Sequence, residues 1–294
     1  MYISNLRIEP SVVLCFTDDY SLDENTEIIK DALPSECKFI IIYVDDFFLD
    51  IMPGMDRLST NIVCILFPKI PNVALYLEVP HIIRKKKKKI YKYVNYILFE
   101  PKPSAPHQET STCLMLFSDN LVAKAINLRC GSAIRESTVS KIDSVWGGVP
   151  ESVLHSPPHY AVEITGSIKT WSIILKIESD TTMEEVQTKL QSFKDKVKLK
   201  KHSIGFISKP YDVNDESTTR ERIIADAAVT MLKSLFSHIL LLTYCCGWQY
   251  GKNTVEELNE EKNDEDNAKA CAKRIQPKFW CHEDSVVFMI LSYG

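Results

Sequence analysis

Glycine is scarce, nine in 294 residues, and neither GxGxxG nor GxxxxGK followed by Ser or Thr occurs. A glycine-rich phosphate cradle is therefore without support, and no cofactor is expected. There is no CxxC pair, so a zinc ribbon or a thioredoxin-type centre is excluded on spacing. HExxH is missing too, and the seven histidines (His81, His107, His155, His159, His202, His238 and His282) are scattered without metal-ligand spacing. The opening MYISNLRIEPSVVLCF lacks a basic region followed by a long apolar run, which argues against a secretory leader. The most apolar stretch, Leu235 to Trp248, falls short of the roughly 20 residues needed to cross a bilayer. It reads as a buried helix; the alternative is a membrane-touching helix with Cys245 and Cys246 as lipid-attachment sites. A net charge of −4 gives no reason to expect nucleic-acid binding. No repeat of fixed period is visible.

What is present is a chain rich enough in apolar residues, 45%, to bury sizeable cores over about two domains. Its nine cysteines are odd in number and several lie inside apolar runs such as SVVLCF and IVCILF. That pattern fits buried free thiols in a reducing, cytoplasmic compartment better than a disulfide framework.

Over the first hundred residues SVVLCF, KFIIIYV, NIVCILF and VALYLEV read as buried strands, and DENTEIIKDAL reads as a helix. Continuous apolar strands separated by helices predict a largely parallel sheet covered on both faces. The proline- and serine-rich segment Glu100–Thr112 predicts a domain boundary. Beyond it YAVEIT and WSIILKI alternate apolar with polar residues, the pattern of an antiparallel sandwich. TTMEEVQTKLQSF then predicts a helix capped by Thr181 or Thr182, and a longer apolar helix is expected from about Ile223 to Tyr244. The acidic stretch ELNEEKNDEDNAK reads as a linker, and the terminal run DSVVFMILSYG demands a partner strand.

Three features invite functional readings. Arg84, Lys85, Lys86, Lys87, Lys88 and Lys89 place six cations in a row, either a solvated helix start or a patch for phosphoinositide headgroups on an anionic membrane surface. Tyr93, followed by Val94 and Asn95, matches the phosphotyrosine pattern read by Grb-type adaptors; the alternative is a ring buried by its helix. The strands at Tyr160–Ile164 and Trp171–Ile177 carry one charge each, Glu163 and Lys176, which predicts poorly defended edges and a homodimer.

The first hundred residues resemble a TIR domain in the order of their parts: strand VVLCF, loop TDDYSLDENT, helix EIIKDAL, then CKFIIIYVDDFFLD, NIVCILF and VALYLEVP. The resemblance implies that Asp18, Asp19, Tyr20 and Asp23 stand in the BB-like interaction loop. Some TIR domains cleave NAD with a glutamate after the strand equivalent to KFIIIYV; DDFFLDIMPGMDRL has none there. Residues 113–240 resemble the DBB domain of the Dof, BCAP and BANK adaptors, on LMLFSDNLVAKAINL, HYAVEITGSIKTWSIILKIESDTTMEEVQTKL and IGFISKPYDVN. Together these imply a TIR-like, flavodoxin-like α/β domain (1–103), an Ig-like β-sandwich (104–180), C-terminal helices (181–250) and a tail (251–294). The implied function is a non-enzymatic cytoplasmic adaptor in receptor tyrosine kinase or immune-receptor signalling, recruited to the inner face of the plasma membrane. Its implied partners are receptor-proximal proteins and phosphotyrosine-binding adaptors; the alternative is a TIR-type NAD-cleaving enzyme.

Overall fold

A computed structural model describes residues 9–17, 23–44, 46–50, 62–68, 73–78, 111–117, 142–149, 160–210, 219–254 and 281–294. Most apolar runs named above do become strands. β1 (Pro10–Thr17), β2 (Lys38–Tyr43), β3 (Asp46–Asp50), β4 (Ile62–Pro68) and β5 (Val73–Glu78) precede residue 100, with α1 (Asp23–Asp31) between β1 and β2. β6 (Ser111–Phe117), β7 (Ser144–Val149), β8 (Tyr160–Gly166), β9 (Lys169–Lys176), α2 (Met183–Lys196) and β10 (His202–Pro210) follow. The chain continues through α3 (Arg220–Leu235), β11 (Leu240–Cys246), β12 (Trp248–Gly251), β13 (Cys281–His282) and β14 (Ser285–Tyr293).

The sheets are not those expected. The described strands form three mixed sheets, ordered β2-β1-β4, β3-β11-β10-β14-β9 and β13-β12-β7-β6-β8-β5. β1 and β2 are parallel as a flavodoxin-like unit requires, but β4 runs antiparallel to β1, and β3 and β5 leave for the other two sheets. The TIR-like domain plus Ig-like sandwich is therefore incorrect. Strand pairing crosses residue 103 twice, through β3 with β11 and β5 with β8, and crosses residue 180 through β9 with β14. Alternating apolar residues report that one face of a strand is buried; they do not report which strand it pairs with.

A repeat exists, in topology rather than in sequence. A central strand (β1, β6 or β10) has a parallel neighbour that follows it in the chain (β2, β7 or β11). On its other side lies a later antiparallel strand (β4, β8 or β14). Each unit also lends strands to its neighbours: β3 pairs with β11 and β12 with β7, while β5 pairs with β8 and β9 with β14, all antiparallel. The exchange ties the units into one body.

One face of every sheet enters a shared core. Leu14 and Phe16, Met115 and Phe117, Phe206, Tyr244 and Met289 all lie in it, at alternate positions of their strands. Phe16, Phe117, Trp146, Phe206 and Tyr244 meet there with ring centroids 5.0–6.5 Å apart. A second core lies between α2, α3 and the other face of the five-stranded sheet. β14 feeds both, Val287, Met289 and Leu291 on one side and Val286, Phe288 and Ile290 on the other. This double burial explains the continuous apolar terminal run, which finds two partners, β10 and β9.

The expected helix from Ile223 to Tyr244 is divided. α3 ends at Leu235, and Leu240–Cys246 is a strand parallel to β10. Burial decides against helix propensity here, because Leu242, Tyr244 and Cys246 enter the shared core at alternate positions while Leu241 faces the second core. α2 begins where expected. Thr182 caps it, its Oγ1 accepting from Glu185 N–H at 3.3 Å while the Glu185 carboxylate accepts from Thr182 N–H at 3.0 Å. Those backbone and side-chain hydrogen bonds to Thr182 hold the Glu185 carboxyl below its usual range. Thr182→Ala is expected to lower stability by about 1 kcal/mol in denaturant unfolding at neutral pH. The difference should shrink as pH falls through the carboxylate range and the box opens.

Candidate ligand site

The crossover from β10 through α3 to β11 puts the N-terminus of α3 at the carboxyl ends of both strands. β9 ends on the same side, because Lys176 pairs with Ser285 and β14 runs antiparallel to β10. The start of α2 and the turn before β14 therefore arrive there as well. The carboxyl edge of parallel strands is where open α/β sheets place ligands. A cleft of about 600 Å³ lies at this edge, lined by Lys176, Ile177, Glu178, Ser179, Thr219, Glu221, Glu283 and Asp284.

Each wall is fixed by hydrogen bonds. Glu178 N–H donates to Thr181 Oγ1 at 2.8 Å, and Thr181 N–H donates to Glu178 O at 3.0 Å, closing the turn after β9. The Arg220 guanidinium donates to Ser179 O at 2.9 Å and to Thr181 O at 3.2 Å, tying the first residue of α3 to that turn. Thr219 caps α3, accepting from Arg222 N–H at 3.3 Å. Ile177 N–H donates to Asp284 O at 2.9 Å, which joins the third wall to the first. Asp284 itself is left-handed, φ 48°, a conformation aspartate tolerates better than most residues. Beneath it, buried Gln249 accepts from Ser285 N–H at 3.3 Å and donates to Cys246 O at 3.0 Å. His282 sits against Gly251 O at 3.3 Å, and burial holds its imidazole below the usual range despite that contact. Farther back, Lys209 reaches from β10 to Asp226 on α3 at 2.7 Å and anchors the helix over the sheet.

None of these residues was legible as a site. Glu178, Glu221 and Glu283 lie in separate polar stretches; the pairing of β14 with β9 and β10 brings them together. Of the residues expected to be functional, Asp23 is the first residue of α1. Asp18, Asp19, Tyr20, Arg84, Lys85, Lys86, Lys87, Lys88, Lys89 and Tyr93 lie outside the described residues. The two strands expected to self-associate do not offer bare edges. β8 is paired on both sides, by β6 and β5. The outer edge of β9 is covered by residues 252–254, with Ser172 N–H donating to Thr254 Oγ1 at 2.9 Å and Ile174 N–H to Asn253 Oδ1 at 2.7 Å. Among the described residues no helix is long and apolar enough to cross a membrane. The stretch expected to be a buried or membrane-touching helix contains β11, and Cys245 and Cys246 are buried.

No protein-family model matches the chain, and no curated protein matches it. Among solved structures it is similar to a cyanuric acid hydrolase from A. caulinodans, with 7% identity and a TM-score of 0.44 over 97% of this chain and 91% of that one. The Dof/BCAP/BANK resemblance is overturned on both counts: no family model supports it, and the sheet order contradicts it. The reading as a receptor-signalling adaptor rested on that resemblance and goes with it, and the exclusion of enzymatic activity, drawn from the resemblance and from the lack of catalytic motifs, is withdrawn too. So does the TIR-type alternative, since β4 runs antiparallel in what would be a parallel sheet.

Proposed function

We propose that this chain binds a small organic ligand in the cleft at the carboxyl ends of β9 and β10. The observation that supports it most is position: the cleft lies at the edge where strand ends and the starts of two helices converge. Its volume, about 600 Å³, is in the range of small-molecule sites. Electrostatics then selects the ligand. The lining carries the carboxylates of Glu178, Glu221, Glu283 and Asp284 against the ammonium of Lys176, which favours a cation such as a di- or polyamine.

The test is calorimetric titration of the full chain with putrescine and spermidine at low salt, with a neutral diol of similar length as control. Binding of the amines is expected, weakening as salt is added because Lys176, Glu178, Glu283 and Asp284 are exposed and screened. The variant Glu178→Gln/Glu283→Gln/Asp284→Asn should lose at least about tenfold in affinity, or 1.4 kcal/mol. Absence of binding at millimolar amine, or equal binding by that variant, would dismiss the cleft as the site.

A further inference from the structure

Cys15 on β1 and Cys64 on β4 are directly opposed in an antiparallel pair. Leu14, Phe16, Val63 and Ile65 line the shared core, so both cysteines project from the other face of the sheet, side by side. Directly opposed residues of an antiparallel pair have Cα atoms about 4.5–5.5 Å apart. A disulfide spans Cα separations of about 4.4–6.8 Å, so the spacing of such a pair is one a disulfide can bridge. The two thiols differ in access. Cys15 is fully buried, whereas Cys64 is half-buried and lines a groove of about 400 Å³ along β4.

We propose that Cys15 and Cys64 are a reversible redox site, with Cys64 the sulfur that meets the oxidant and Cys15 the sulfur that resolves it. The neighbouring Cys64 thiol and burial push the Cys15 thiol well above the usual range. The thiolate is the nucleophile and must be reached to react, so the accessible sulfur, Cys64 in the groove, is the one that meets an oxidant, with Cys15 behind it. With hydrogen peroxide as oxidant, the Cys64 sulfur attacks one peroxide oxygen and the O–O bond breaks, leaving Cys64 as a sulfenic acid and releasing the first water. The Cys15 sulfur then displaces the hydroxyl of that sulfenic acid, forming the S–S bond and releasing the second water. Two thiols and one peroxide become one disulfide and two waters, and a dithiol reductant reverses the change. The bridge would fasten β4 to the central strand of its sheet.

Reduced full-length protein is treated with hydrogen peroxide at neutral pH, alkylated, digested and mapped by mass spectrometry. A linked Cys15–Cys64 peptide pair is expected, two hydrogens lighter than the reduced peptides and abolished by dithiothreitol. In Cys15→Ala the reaction should stop at Cys64, which then takes up dimedone; in Cys64→Ser, Cys15 should stay reduced in the folded protein. Either sulfur linked to another cysteine in the native wild type would overturn the proposal, as would oxidation of Cys64 that leaves Cys15 free. Wild-type mapping alone decides between these outcomes if a variant fails to fold.

Discussion

Gly147→Ala is expected to be among the most damaging single substitutions in this protein. Gly147 lies in β7 with φ +143°, a conformation that side-chain-bearing residues rarely adopt. It is also pinned on both sides, opposite Leu116 of parallel β6 and Tyr250 of antiparallel β12. A Cβ built there falls 1.9 Å from Leu116 O and 2.8 Å from its carbonyl carbon. That obstacle is backbone in the middle of a ladder, so relief requires the β6–β7 pairing to open. Backbone strain of about 1–3 kcal/mol and overpacking of about 1–3 kcal/mol add, for an expected loss of about 2–6 kcal/mol. Gly148→Ala provides the comparison. Its Cβ would meet the Cys246 sulfur at 2.4 Å and the Tyr244 ring at 2.7 Å, but these are side chains and its φ is not in the glycine region. A smaller loss, about 1–3 kcal/mol, is expected there. Denaturant unfolding of the two variants gives the order directly. Gly147→Ala within about 1 kcal/mol of wild type would mean that β6 and β7 are not paired in this register.

The same two glycines show what could and could not be read in advance. SVWGGVP reads as a turn between short strands, because a Gly-Gly pair usually marks one. Instead both residues lie inside β7, where the Leu116 backbone crowds Gly147 and the Cys246 and Tyr244 side chains crowd Gly148. Local features were legible: the helix start at Thr181 or Thr182, the helix after SVVLCF, and the strands KFIIIYV, NIVCILF and DSVVFMILSYG each follow from residues a few positions apart. Sheet membership was not. β3 follows β2 after two residues yet pairs with β11, almost 200 residues later. No pattern within DFFLD names that partner. The resemblance to a known domain order supplied a topology the local patterns did not demand, and it failed at the first antiparallel strand, β4. The cleft was hidden for the same reason, since its carboxylates come from three segments far apart in sequence that meet through the pairing of β14 with β9 and β10.

Phe288→Ala should produce a loss of the same order by the opposite route, a cavity in place of a clash. Phe288 is fully buried in β14, flanked in register by Ile207 of β10 and Ile173 of β9. Its ring lies 5.8 Å from Phe193 of α2 and 5.2 Å from Phe236 at the end of α3, and those two rings are 6.0 Å from each other. The Lys194 ammonium covers the outer side of this trio, 4.3 Å from the Phe236 centroid. One side chain on the sheet thus holds both helices, and around it Val186, Leu190, Ala228 and Leu232 are too short to fill the space it leaves. Truncating a buried phenylalanine costs about 3–5 kcal/mol when the surroundings cannot collapse. Net stabilities are about 5–15 kcal/mol, so the variant should unfold at a much lower urea concentration than wild type, with helical circular dichroism lost in the same transition as core fluorescence. Phe288→Leu keeps most of the volume and should lose only about 1–1.5 kcal/mol. Equal stability of Phe288→Ala and wild type would show that α2 and α3 do not rest on this face of the sheet. Without them the cleft would lose the wall that the start of α3 supplies and the support of the turn before α2.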